Sequence, residues 1–65
     1  MTGPALDREE IYGDGICGIC GEPVEYEVFE IDHIVALAHH GAHSYENTQP
    51  AHGECNRKKY AALAQ

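Results

Sequence analysis

The apolar positions of this chain change their spacing from segment to segment, and each change marks an element. Leu6, Ile11 and Tyr12 lie among charged residues and predict a short helix over Leu6 to Tyr12, which Gly13 and Gly15 stop. Val24 to Val35 is rich in β-branched and aromatic residues and predicts a strand, with Val24, Tyr26 and Val28 on one face. Its phase then shifts to Phe29, Ile31 and Val35, so a bulge or strand break is expected near Val28-Phe29. Ala38 to Glu46 reads as a loop, Asn47 to Gln49 as a second short strand ended by Pro50. Glu54 to Ala64 is the clearest helix. Asn56, Tyr60 and Leu63 share a face of it at i, i+4, i+7. If Tyr60 and Leu63 pack on the hairpin, Asn56 points at whatever the hairpin presents.

Composition says how such elements must be held. Sixty-five residues, 43% of them hydrophobic with one Phe and no Trp, make one small domain over 1–65 with few large core side chains. A chain this short usually needs a disulfide, a metal or a partner as a staple. Three cysteines do not close a disulfide framework. Met1 to Arg8 has no basic stretch followed by an apolar run, so no signal peptide is expected. No segment approaches the roughly 20 apolar residues that span a bilayer. A reducing, cytoplasmic setting without membrane contact is therefore expected, and there paired cysteines read as metal ligands.

They fall into place as such. Cys17-Gly18-Ile19-Cys20 lies on a glycine-rich turn, and His52-Gly53-Glu54-Cys55 opens the last helix. Together they supply the four nitrogen and sulfur ligands of a closed tetrahedral zinc site. All three cysteines fall in this pattern, against the alternative of free thiols and a surface histidine. With every position filled, the expected role is structural, coupling folding to Zn2+.

Between the two halves lie residues of a different kind: Asp32-His33, then Asn47, then Asn56. Cutting a phosphodiester takes a nucleophile made from water, neutralisation of the phosphate and stabilisation of the leaving alkoxide. A histidine can accept the water proton. A dication held by a carboxylate and an amide carbonyl can do the rest, and such oxygen donors suit magnesium. Asn47 is placed to bond the backbone around His33. In a regular strand Asp32 and His33 face opposite ways. If both serve one site, the strand ends or distorts there.

The combined string Cys17-x-x-Cys20, Asp32-His33-Ile34-Val35, Gly41-x-His43-x-x-x-Asn47, Gln49-Pro50-Ala51-His52 and Cys55-Asn56-Arg57-x-Lys59 resembles the HNH endonucleases, above all the small zinc-containing forms of bacteria and their phages. The resemblance covers roughly residues 10–60. It implies a small α+β domain of the ββα-metal (His-Me finger) type, with a short N-terminal helix, a β-hairpin and a C-terminal helix. It implies DNA cleavage through one divalent ion, Mg2+ or another such as Mn2+ or Ni2+, leaving a 5′-phosphate and a 3′-hydroxyl. His33 is then the general base, Asp32 and Asn56 the ligands of the catalytic ion, and Asn47 the structural asparagine. The chain departs from many relatives at Ala36, at His40-Gly41, at Thr48 where a larger apolar residue is common, and at His52 where cysteine is common.

Blander readings stand beside these. Asn56 at a helix start competes as a cap. His39 and His40 read as solvent-exposed. His43 either approaches metal or phosphate or shapes the loop. Arg57 and Lys59 suit a phosphate path, and Lys58 solubilises the helix.

The formal net charge of −7 sets the main alternative, because phosphate contacts supply most nucleic-acid affinity. Acid is concentrated in Asp7 to Asp14 and Glu22 to Asp32, while Arg57-Lys58-Lys59 holds all but one of the basic residues. A non-catalytic zinc module for protein or nucleic-acid contact, a homodimer, and a subunit of a larger packaging nuclease needing a basic partner all remain open.

Overall fold

The computed structural model describes residues 6–63, and within them the elements run α1 (Arg8–Tyr12), β1 (Glu30–His33), β2 (Thr48–Ala51) and α2 (Gly53–Leu63). Two 3-10 turns, Leu37–His39 and Tyr45–Asn47, fall in the connection that was expected to be plain loop. The result is a small α+β fold of helix, antiparallel hairpin and C-terminal helix. Among the described residues no helix is long and apolar enough to cross a membrane.

α1 begins one residue after Asp7, whose carboxylate accepts the Glu9 N–H at 2.9 Å and satisfies one of the free donors of the first turn. Its face buries Ile11 and sets Tyr12 against Phe29 and Tyr26. The Arg8 guanidinium covers this cluster 4.0 Å from the Phe29 ring centroid and donates to the Phe29 carbonyl at 3.2 Å.

The turn that follows is tied by Cys17 N–H to Glu22 O (2.8 Å) and Gly21 N–H to Cys17 O (2.9 Å). Gly21 takes φ +82°, a backbone state that a side chain would oppose.

The strand expected over Val24 to Val35 is corrected to the four residues of β1. Val28 and Phe29 both return their N–H groups to the Glu25 carbonyl (3.2 and 2.9 Å), so the chain turns through Tyr26 to Val28. The turn buries Val24 and Phe29, which have opposite parity, and leaves Val28 66% exposed. Of the two readings of the change of phase, bulge or strand break, the structure has the break: this turn.

β1 pairs antiparallel with β2 in the register Glu30↔Ala51, Ile31↔Pro50, Asp32↔Gln49 and His33↔Thr48. Pro50 lies inside β2, whereas it was expected to end that strand at Gln49. Its carbonyl accepts the Gly18 N–H at 2.9 Å, so its N and O edge faces away from β1 and the missing N–H costs the ladder nothing. Thr48, buried where a larger apolar residue was noted as common, donates its hydroxyl to the carbonyls of Ser44 (3.0 Å) and Tyr45 (3.3 Å).

α2 starts at Gly53, a residue earlier than expected, and is followed through Leu63; Ala64 and the Leu63 side chain lie outside the described residues. The core joins Ile11, Cys17, Val24, Phe29 and Ala51, with Leu6, Tyr12, Ile31 and Cys55 packed against it. Only Ile11, Val24 and Phe29 of these buried residues are large and apolar, so the core is thin, as composition implied.

Candidate functional site

Cys17, Cys20, His52 and Cys55 converge, with one ligand atom from each lying within 4.8 Å of all the others. The turn after α1 brings two of them, and the β2–α2 junction brings the others. Cys20 Sγ is 3.4 Å and Cys55 Sγ 3.8 Å from His52 Nδ1. Zinc bonded at its usual lengths to sulfur and nitrogen in a tetrahedron gives an S···N edge of about 3.6 Å, so the cluster can hold a zinc ion. His52 Nε2 lies 3.0 Å from the Pro23 carbonyl. Donation there puts the proton on Nε2 and leaves Nδ1 bare for a metal.

The thiols are unequal. Burial opposes charge on Cys17, but N–H donors from Cys20, His52 and Ile19 outweigh it and bring its pKa down to about 6. Burial, then hydrogen bonding to Cys20 and Cys17 and their charges, pushes Cys55 up to about 11.

Asp32 and Glu30 share the face of β1 that α2 covers, being two residues apart. Asp32 is fully buried. Its Oδ2 accepts from Gln49 Nε2 at 2.9 Å, and both oxygens accept from Lys59 Nζ at 3.0 and 2.9 Å. The same ammonium donates to the carbonyls of His33 (2.9 Å) and Ile34 (3.2 Å). Lys59 thus lies turned inward in a cradle of oxygens.

Asn56, one helical turn before Lys59, donates Nδ2 to Glu30 Oε1 at 3.1 Å. Its Oδ1 is buried with no partner among the described residues, which is unusual for a carbonyl and leaves an acceptor site open to a cation.

His33 ends β1 and leaves by the opposite face from Asp32, as strand geometry requires. Its Nε2 lies 3.0 Å from Nδ1 of His43. Asn47 binds both arms of the intervening loop: Oδ1 accepts Val35 N–H (2.8 Å), and Nδ2 donates to Val35 O (3.0 Å) and Ala42 O (2.7 Å). Gly41 passes so close to the Val35 carbonyl that an added Cβ would fall 1.7 Å from it.

Among the described residues, no hydrogen bond joins Asp32, His33 and Asn56 to one another. β1 and α2 place Asp32 and Asn56 in one layer, while His33 leaves β1 by the opposite face. Arg57 is exposed beside Glu30 at 3.7 Å, Lys58 pairs with Glu54 at 3.2 Å, and His39 and His40 are exposed. Reading the sequence missed Gln49 and Glu30. Hairpin register was the available signal for Gln49, and the period of two for Glu30.

A sequence model of the HNH endonuclease family matches residues 17–62, most of the chain. No curated protein matches it.

Proposed function

The chain belongs to the HNH endonuclease family, and on that footing we propose that it hydrolyses DNA phosphodiester bonds with a divalent ion and a histidine-activated water. The observation that carries the reading is the unpartnered Asn56 Oδ1, buried in the layer that also holds Asp32. Both are hard oxygen donors, and Lys59 already marks the Asp32 side as a position for positive charge. Asp32 and Asn56 would hold Mg2+, Mn2+ or Ni2+. Such an ion supplies Lewis-acid neutralisation of the phosphate and the leaving oxygen.

The chain's own groups do the rest. His33, half-buried at the end of β1, takes a proton from water. Asn47 keeps the loop that follows His33 folded back on itself. Arg57, exposed on the first turns of α2, is the cation best placed to meet a phosphate, whereas Lys59 must yield an Asp32 oxygen before that carboxylate can ligate. Zinc in the cysteine-histidine cluster serves the fold. The domain is taken as one unit over 1–65 acting in the cytoplasm.

Plasmid nicking with Mg2+, Mn2+ or Ni2+ tests this, with EDTA as control and His33→Ala compared in zinc-loaded protein. A folded His33→Ala chain that cuts at the wild-type rate rules out the mechanism. A second reading, a zinc module or nuclease subunit working with a basic partner, draws on the net charge of −7. It predicts no nicking by the chain alone with any of the three ions.

A further inference from the structure

We propose that His43 is the positioning residue of His33, fixing which of its two nitrogens is the base. The inference rests on the nuclease reading above and deepens it. The rings lie 5.3 Å apart between centroids, tilted by 37°, and a single hydrogen bond joins His33 Nε2 to His43 Nδ1 at 3.0 Å.

Two neutral imidazoles can share that bond in only two ways. If His43 donates from Nδ1, His33 carries its proton on Nδ1 and neither of its nitrogens is free to accept another. If His33 donates from Nε2, its Nδ1 keeps a bare lone pair. Only the second arrangement makes His33 a base. It requires His43 in the Nε2–H form, accepting at Nδ1.

His43 is exposed, yet the backbone on both sides of it is pinned. Ala42 O accepts from Asn47 Nδ2 at 2.7 Å, while Ser44 O accepts from Asn47 N–H and from the Thr48 hydroxyl, each at 3.0 Å. Asn47 therefore braces His33 at one remove, by holding its partner ring in place.

In the reaction one water proton passes to His33 Nδ1 as the water oxygen bonds to phosphorus and the bond to the leaving oxygen breaks; that oxygen takes its proton from solvent. The imidazolium so formed keeps donating from Nε2 to His43, now as a charge-assisted bond.

The test uses full-length, zinc-loaded protein with 15N-labelled histidine. Imidazole spectra give the tautomer of His33 in the wild type, His43→Ala and His43→Asn, and metal-dependent plasmid nicking gives kcat and KM. Expected are the Nε2–H form in the wild type and mixed tautomers in His43→Ala. That variant should lose about 10- to 100-fold in kcat at unchanged KM, the usual scale for an orienting partner. His43→Asn, whose Oδ1 can stand in for Nδ1, should recover most of both. An Nδ1–H tautomer in the wild type, a tautomer indifferent to His43→Ala, or an unchanged kcat overturns the proposal. A wild type that cuts nothing overturns the nuclease reading instead, and the spectra alone then decide the pairing.

Discussion

Lys59 Nζ sits 3.0 Å from Oδ1 and 2.9 Å from Oδ2 of Asp32, giving a carboxylate with no solvent exposure its charge partner from the neighbouring helix. The pair ties α2 to β1 three residues along the helix from Asn56. Removing one member of a buried pair leaves the other uncompensated, a loss that commonly reaches about 3–5 kcal/mol. The Lys59 side chain is 23% exposed, so water reclaims part of that. Lys59→Met is expected to cost about 2 kcal/mol in urea unfolding of zinc-loaded protein. Millimolar Mn2+ should then restore more stability to the variant than it adds to the wild type, because the ion no longer competes with an ammonium. Equal Mn2+ effects on both proteins would mean that Lys59 does not occupy the cation's place.

Asn56 makes the complementary case. Its Nδ2 has a partner in Glu30 while its Oδ1 has none among the described residues. An unsatisfied buried acceptor costs about 1–3 kcal/mol, which offsets the hydrogen bond lost on truncation. Asn56→Ala should therefore unfold within about 1 kcal/mol of the wild type when no divalent ion is added. Stabilisation by Mn2+ and any cleavage should both disappear. A variant still stabilised by Mn2+ as the wild type is would remove Asn56 from the ion's ligands.

Gly41 is fixed by space rather than by turn preference. A methyl group there would meet the Val35 carbonyl carbon at 2.6 Å and its oxygen at 1.7 Å, and both atoms are backbone. Gly41→Ala must move the loop, straining the Asn47 bonds to Val35 and Ala42. Faster amide exchange at Val35, with the zinc cluster still loaded, is the expected signature. Unchanged protection would mean that the loop yields without disturbing Asn47.

What could be read in the sequence was whatever depends on local spacing. The Cys17, Cys20, His52 and Cys55 set was legible because two short motifs carry it, and α2 because its alanines and basic residues favour a helix within one segment. The extent of β1 was legible only in part: the change of phase marked a break near Val28-Phe29, but the backbone bonds to Glu25 that close the turn leave no residue-type signature to say where the strand begins. The partner of Asp32 was hidden for another reason. Lys59 and Arg57 both read as cations beside a phosphate path, and only the packing of α2 on β1 decides which one turns inward. The His33–His43 pair likewise depends on how Asn47 folds the loop.

Zinc should respond to pH in a way the two shifted thiols define. In the metal-free fold Cys17 titrates near 6, below its ordinary value, so its contribution to stability is present above the ordinary thiol range and is lost as pH falls through about 6. Cys55 has the opposite sign: raised to about 11, it favours the metal-free fold below the ordinary range and loses that contribution as pH rises through about 11. At neutral pH the metal-free cluster thus holds a Cys17 thiolate and a Cys55 thiol. A zinc ion needs both as thiolates, so binding must expel the Cys55 proton. Chelator-competition titrations should show affinity rising with pH throughout the neutral range. Calorimetry in buffers of different ionisation enthalpy should find at least one proton released per zinc. No proton release would mean that Cys55 is already a thiolate or is not a ligand. Stripping the zinc should also lower the urea midpoint well below that of the loaded protein, because Ile11, Val24 and Phe29 are too small a core to replace the cross-link between the turn at Cys17 and the start of α2.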